Sequence, residues 1–522
     1  MAQLSLLLFL LSFFLFSGWC RGMQVNFASD IHYDPFYGGP GAFGRACRSA
    51  GLPIVRRGCE SSADFVTFWT SDMATRKSAC TFVTGDLQRH DFPSLATTVS
   101  ATFGFVIERL AAVSPNKTPS GRPSVLVALG NNDVVPDYYF DITRIPSQVI
   151  LEVASVTQEN GVLREDEAQQ FQQCGYYLRV VSPELRVIVL HTLLWCYTIV
   201  PAIPAGEEDP CSQFKFLTTE LENARKANSK VIIMSHIPPM LDIWKVLKGG
   251  NFTSVSGDMY WKPLYQKRFN QLMREYSDTV TVQLYGHTHL FYYQALSGGV
   301  PFFIVPAISP LYGNAPSYFI AQLDNKSLSL KSLTQRYFDY DWTNGVRVED
   351  LFGDLTDTAS LRASAMRLVT DDKLWAKYLR LCGGGVRGDK LFPGGKCNSW
   401  CRKVIACSMV SDAWGDIKAC VEAVEKEPSR KLFTTILIVV IALALLILGI
   451  VILVVYRRRQ LRYMEDVGHT QFHDALPMSV FATNEVGNTG AQGESNSGEG
   501  SYHGQLGYKN GRAKVRLGAA PL

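Results

Sequence analysis

The sequence predicts an α/β sandwich, on three observations. Apolar strand-like runs alternate with helical stretches such as 214–227 and 263–276, a rhythm that argues for helices layered on sheets. Apolar residues make up 47% of the 522 positions, ample for one large core and a small appended lobe. Five of the apolar runs stop at short islands of His, Asp and Asn, the pattern of a site built along the carboxyl edge of a sheet. A net charge of +4 on a chain this long argues against a nucleic-acid-binding role. No internal repeat is visible.

The islands come in a fixed order. Run 24–29 leads into Asp30-Ile31-His32, and run 81–84 into Gly85-Asp86. Run 125–129 leads into Gly130-Asn131-Asn132-Asp133, run 231–234 into Ser235-His236, and run 280–285 into Gly286-His287-Thr288-His289. In an extended segment residues i and i+2 face the same side, so Asp30 with His32, and His287 with His289, can each address one ion. Asp86 carries two oxygens and suits a bridge between two ions; Asn131 adds a neutral carbonyl oxygen and His236 a further imidazole. Of the nine histidines, six precede position 430, and four of those six sit in the islands, which scattered core histidines would not produce. Mixed N and O donors in excess of one ion's needs point to a dinuclear centre for displacement at phosphorus.

The ordered set DxH, GD, GNxD, H and GHTH resembles the calcineurin-like metallophosphoesterases. The flanking residues Ser29 to Asp34, Thr84-Gly85-Asp86 with His90-Asp91, and His236-Ile237-Pro238-Pro239 resemble the acid sphingomyelinase-like phosphodiesterases and the related endopolyphosphatases, over about 24–420. The resemblance implies the metallophosphoesterase-type αββα sandwich and two divalent metal ions, zinc in this family. It assigns Asp30, His32, Asp86 and His289 to one ion, and Asp86, Asn131, His236 and His287 to the other. A hydroxide between the ions would attack phosphorus, with Asn131, Asn132 and His236 holding phosphate oxygens.

One position departs from the superfamily, which mostly has His where this chain has Asn132. An amide can hydrogen-bond a phosphate oxygen but cannot protonate a leaving group near neutral pH. The candidates for catalytic roles are therefore Asn132, Asp133 and His90, with His191 able to reach the rim. The endopolyphosphatases share the GNND pattern. The expected activity is hydrolysis of a phosphodiester, with cleavage of polyphosphate anhydrides as the alternative and nucleotides within the substrate range. A metal-keeping surface receptor is the reading from another class; the intact ligand set speaks against it. No saposin module precedes the catalytic region, so sphingomyelin itself is not implied. Trp244, Tyr260 and Trp261, in the stretch 241–262, are expected at the substrate rim.

The ends and the cysteines set the compartment. Residues 1–22 read as a signal peptide, with an apolar stretch at 4–16; an uncleaved anchor is disfavoured because the first strand follows at once. The catalytic domain is expected over 23–338 and a helical, cysteine-rich subdomain over 339–427, with Trp375, Tyr378 and Leu379 at helical spacing. Residues 432–455 form an uncharged apolar stretch long enough to span a bilayer, followed by Arg457, Arg458, Arg459 and Arg462. A disordered cytosolic tail is expected over 456–522, where His469 and His473 are not expected to bind metal. The sequons at Asn116, Asn251 and Asn325 all precede the span.

All twelve cysteines also precede it, which favours disulfides in a secretory compartment over a zinc knuckle at Cys397-x3-Cys401-x5-Cys407-x12-Cys420. The resemblance implies the pairs Cys397–Cys401 and Cys407–Cys420. Cys47 with Cys59 and Cys196 with Cys211 are plausible, while Cys80, Cys174 and Cys382 stay open. The whole reads as a type I membrane protein of the cell surface or a lysosome- or vacuole-like compartment, its catalytic domain luminal or extracellular.

Overall fold

A computed structural model describes residues 23–39, 47–91, 96–113, 124–385, 388–426 and 430–468. The expected signal peptide, the sequon at Asn116, and His469 and His473 lie outside the described residues. The chain divides into two compact units, 1–428 and 429–522.

The first unit is built on two six-stranded sheets. Strands β1 (Met23–Ala28), β2 (Cys80–Val83) and β3 (Val125–Val127) run parallel. β10 (Ser317–Leu323), β11 (Leu330–Asp339) and β12 (Asp341–Arg347) extend that sheet antiparallel from β1. In the second sheet β5 (Leu185–Val189), β6 (Lys230–Met234), β7 (Val280–Tyr285) and β9 (Phe302–Ile304) are parallel. β4 (Tyr177–Ser182) and β8 (Tyr293–Gln294) close its two edges antiparallel. β2, β3 and β9 are buried at every position, as continuous apolar runs covered on both faces should be.

Helices cover each sheet. Phe65, on the helix Ala63–Thr75, packs edge-on against Phe338 of β11 at 5.6 Å. Ser62 caps that helix, its hydroxyl accepting from the Phe65 N–H at 3.1 Å. Over the second sheet, Phe214 of Gln213–Lys226 and Phe269 of Pro263–Glu275 converge on Trp195, at 4.4 and 5.8 Å. The sheets are tied at their edges: the Tyr177 hydroxyl bonds both the N–H and the carbonyl of Val127 at 3.1 Å. Ser29 bridges to Ala307, next to the first polar island.

Two expectations about boundaries change. The helical pattern was expected from 339, yet β12 pairs with β11 as far as Arg347 before helices take over. Its sequence, DWTNGVR, buries only Trp342 and lacks the alternation that marks a strand. The apolar helix runs Arg430–Gly468, 13 residues beyond the expected span, because Arg457 to Met464 is rich in good helix formers. Among the described residues it is the one helix long and apolar enough to cross a membrane.

The disulfides Cys47–Cys59, Cys397–Cys401 and Cys407–Cys420 form as expected. Cys211 does not pair with Cys196; it bonds Cys174, where a helix stops at left-handed Gly175. Cys196 is a buried thiol donating to the Thr192 carbonyl. Its neighbour in sequence spacing was not its neighbour in space. Cys80 and Cys382 are also free and buried.

Candidate active site

All five islands meet on the carboxyl ends of β1, β2, β3, β6 and β7. Asp30, His32, Asp86, Asn131, His236 and His289 are buried, and His287 is only slightly open. The His32 and His289 Nε2 atoms face each other at 3.0 Å. His236 Nε2 lies 3.1 Å from Asp86 Oδ2 and 3.2 Å from Asn131 Oδ1. Asp30 Oδ1 is 3.5 Å from His289 Nε2 and 3.8 Å from His32 Nε2.

Strand alternation is not what aims these groups. Asp30, His32, Asp86, His287 and His289 have φ of 50°, 45°, 55°, 73° and 60°. Left-handed backbone at non-glycine residues costs about 1–3 kcal/mol each and gathers at functional sites. The expectation of an extended i, i+2 pair therefore gives way to a kinked turn reaching the same end. Two glycines permit the approach. A Cβ on Gly130 would sit 1.9 Å from Asp86 Oδ1, and one on Gly286 would sit 1.9 Å from Ser29 Oγ.

The donor set fits divalent cations. His32 Nδ1 donates to the Gln88 carbonyl at 2.9 Å and His236 Nδ1 to the Thr84 carbonyl at 2.7 Å, turning each Nε2 toward the cluster. Ser29 donates to Asp30 Oδ2 at 2.5 Å, and Asn132 holds both oxygens of Asp86, by its backbone N–H at 2.9 Å and its amide at 2.8 Å.

The charge balance calls for positive charge. Burial acts against ionising Asp30, but His289, His32 and His236 outweigh it and hold its pKa to about 2. Burial is likewise outweighed at Asp86, chiefly by His236, so its carboxyl lies well below the usual range. The carboxylates in turn push His32 and His236 up to about 9 against the effect of burial. His287 is pushed down to about 3, by burial and then by the charge on His236, and burial holds His289 well below an ordinary imidazole. Protons on two imidazoles thus supply the charge that cations would take over.

Three expected roles change. Asn132 does not line the cavity; its amide is committed to Asp86, because the chain turns back over that carboxylate. Asp133 is a backbone anchor, accepting N–H groups from Asp86, Leu87, Gln88 and Gly130 at 2.8–3.1 Å. Burial and the Asp86 charge push its pKa up to about 6 against those donors. His191 is buried, its Nδ1 donating to the Cys174 carbonyl at 2.9 Å, and does not line the cavity.

His90 does reach the cluster. It stacks on His32 at 4.1 Å, and its Nδ1 contacts Glu60 Oε1 at 2.7 Å. Glu60 also accepts the His90 backbone N–H at 2.9 Å. Burial opposes its charge, but the His90 bond and His32 outweigh that and lower its pKa. Nothing in the sequence marked Glu60, which lies just past the loop closed by the Cys47–Cys59 disulfide.

A cavity of about 570 Å³ opens over Asp86, His90, Asn131 and His287. Its walls include Tyr138, Trp244, Lys245, Tyr260, Tyr312 and Lys390. Trp244 and Tyr260 thus stand at the expected rim. Trp261 does not: it is fully buried, its indole donating to the Ile237 carbonyl at 3.1 Å.

Over 362 residues the chain is 25% identical to sphingomyelinase phosphodiesterase D of Dictyostelium discoideum, covering 64% of this chain and 76% of that protein. Over 345 residues it is 25% identical to the human cyclic GMP-AMP phosphodiesterase SMPDL3A, covering 62% and 71%. Sphingomyelin phosphodiesterase A of D. discoideum is 30% identical over 325 residues, covering 57% and 50%. The chain is thus similar to acid sphingomyelinase-like phosphodiesterases.

The chain is an enzyme that hydrolyses phosphoesters, and its clustered His and Asp side chains suit two metal ions. No family model matches the chain. Among solved structures, a dimetal phosphatase from Danio rerio aligns over 62% of this chain and 98% of its own, at 12% identity and a TM-score of 0.37. A purple acid phosphatase from yellow lupin aligns over 63% and 54%, at 11% identity and a TM-score of 0.35.

Proposed function

We propose that this metallophosphoesterase is a phosphodiesterase holding two divalent cations, zinc by its ligand chemistry, through Asp30, His32, Asp86, Asn131, His236, His287 and His289. Divalent cations held by these residues would supply acidification of a water and neutralisation of the charge developing on the phosphoryl oxygens. Ser29 and Asn132 fix the carboxylates of Asp30 and Asp86, so the donor cage keeps its shape through turnover. A water oxygen bonds to phosphorus, the bond to the leaving oxygen breaks, and that oxygen takes a proton. The products are a phosphomonoester and an alcohol.

The observation that carries this reading is His90, held by Glu60 and lining the same cavity as the ligand cluster. Glu60 accepts from Nδ1–H, which leaves Nε2 as the atom that, in the imidazolium, gives the leaving oxygen its proton, a role Asn132 cannot fill. The cavity walls favour an organic diester over polyphosphate. Lys245 and Lys390 are the only lysines or arginines lining it among the described residues, while aromatic rings are plentiful.

We further propose a type I membrane protein of the secretory pathway, at the cell surface or in a lysosome-like compartment. The signal peptide is removed, and the catalytic unit is luminal or extracellular and glycosylated at exposed Asn251 and Asn325. The disulfides and the apolar helix support this.

The test is bis-p-nitrophenyl phosphate hydrolysis by the full-length protein in detergent. His90→Ala should lower kcat by roughly 10²–10⁴-fold while metal content stays at the wild-type level. Metal loss in that variant would make His90 a ligand instead, and selective shortening of polyphosphate would replace the diester reading.

A further inference from the structure

Arg89 is a buried cation that neither belongs to the ligand cluster nor lines the cavity. It precedes His90 in the chain, is 5% exposed, and lies between two buried carboxylates. Its Nε is 3.3 Å from Glu60 Oε2 and 3.7 Å from Asp34 Oδ1. Asp34 also accepts from Arg48 Nη1 at 2.6 Å and from the Phe36 N–H at 3.0 Å.

The backbone brings these groups together. Tyr33 bridges to both Ser61 and Gln88, so three segments run side by side. The Asp34 N–H donates to the Ser61 carbonyl at 2.9 Å, the Ser61 N–H to the His32 carbonyl at 3.0 Å, and the Tyr33 N–H to the Leu87 carbonyl at 2.8 Å. Asp34, Glu60 and Arg89 thus share a scaffold with His32, the ring on which His90 stacks. Glu60 is the link. Its Oε1 accepts the His90 Nδ1–H and backbone N–H, and its Oε2 accepts Arg89 Nε, so both oxygens are engaged. The terminal torsion of a glutamate is otherwise broad, and a carboxylate free to turn would turn the imidazole with it. Buried ion pairs add little stability over apolar residues of the same volume. A run of them that ends on a side chain lining the catalytic cavity is better explained by orientation than by stability.

We propose that Arg89 is a positioning residue for phosphodiester hydrolysis: braced by Asp34, it fixes the Glu60 carboxylate and, through it, the direction of His90 Nε2 in the cavity. This deepens the phosphodiesterase reading and rests on His90 as the proton donor. His90 Nε2 stands 3.4 Å from the Tyr312 hydroxyl on the cavity wall, so a swing of the ring about its Nδ1 anchor shifts the donor atom within the cavity. A proton donor must lie within hydrogen-bond reach of its target, and a misplacement of about 1 Å can cost about 10²-fold. Arg89 itself does not line the cavity, so its effect passes through Glu60.

The experiment is a double-mutant cycle on full-length protein in detergent, with bis-p-nitrophenyl phosphate as substrate and metal content measured on each sample. Arg89→Met should lower kcat about 10–100-fold, with KM and metal content at wild-type values. In a Glu60→Ala background the same substitution should lower kcat no further, because the path to His90 is already cut. Asp34→Asn supplies a second cycle should Arg89→Met fail to fold: it should lower kcat in the wild-type background and not in Glu60→Ala. An equal loss in both backgrounds, an unchanged kcat, or a loss that accompanies metal depletion overturns the positioning role while the phosphodiesterase reading stands. Wild-type kcat in His90→Ala overturns the reading of His90 on which that role rests.

Discussion

Asn132 turns its amide to Asp86 Oδ2 and its backbone N–H to Oδ1, so it steadies the carboxylate shared by both ligand groups. Groups that orient metal ligands typically matter by 10–100-fold. Asn132→Ala should accordingly weaken zinc binding by about that factor, read by competition with a chelating dye, whereas a residue serving only the phosphate would leave metal affinity alone. The protons on His32 and His236 give a second prediction. With their pKa values pushed up to about 9, cations must displace protons to bind, so affinity falls as pH falls, by up to about tenfold per unit for each proton displaced. Equilibrium dialysis at fixed free zinc between pH 5 and 8 measures the slope; a flat profile would contradict it. The ligand types were legible because each stands directly after an apolar run. The work of Asn132, Asp133 and Glu60 was not, since it depends on which backbone N–H groups and side chains fold beside them.

Among the elements, the helix Ala63–Thr75 is pinned to the first sheet by one carboxylate. Asp72 accepts from Arg336 Nε at 2.6 Å, Arg336 Nη2 at 2.7 Å and the Tyr318 hydroxyl at 2.6 Å. Burial opposes its charge, but these bonds win and its pKa lies below the usual carboxylate value. A depressed folded pKa stabilises the fold above the unfolded carboxyl's pKa and loses that contribution as pH drops through the folded value. Asp72→Asn should therefore cost about 1–3 kcal/mol at pH 7 in urea unfolding, and the gap should close toward pH 3. An equal gap at both pH values would contradict this. Parallel strands such as β2 and β3 were readable as short apolar runs. β12 was not, because its edge position leaves most of its side chains exposed. The Cys174–Cys211 bond was equally hidden, since it joins a helix end to a turn 37 residues on and no spacing rule selects it.

At the scale of the whole molecule, the catalytic site lies in the unit that ends at Pro428, and the apolar helix lies in the other. Expression of the chain truncated after Pro428 should move phosphodiesterase activity from the membrane fraction to the medium with turnover per molecule retained. Activity that stays with the membranes would contradict the anchor. The central claim is that the buried His and Asp cluster is a dinuclear centre for phosphodiester hydrolysis. The most direct measurement is metal content and bis-p-nitrophenyl phosphate turnover on the same full-length preparation, wild type against Asp86→Asn, before and after chelation. Two divalent ions per wild-type chain are expected, with activity lost on chelation and regained with zinc, and an Asp86→Asn protein deficient in both. Turnover that survives chelation, or an ion-replete wild type that hydrolyses no phosphodiester, would contradict it.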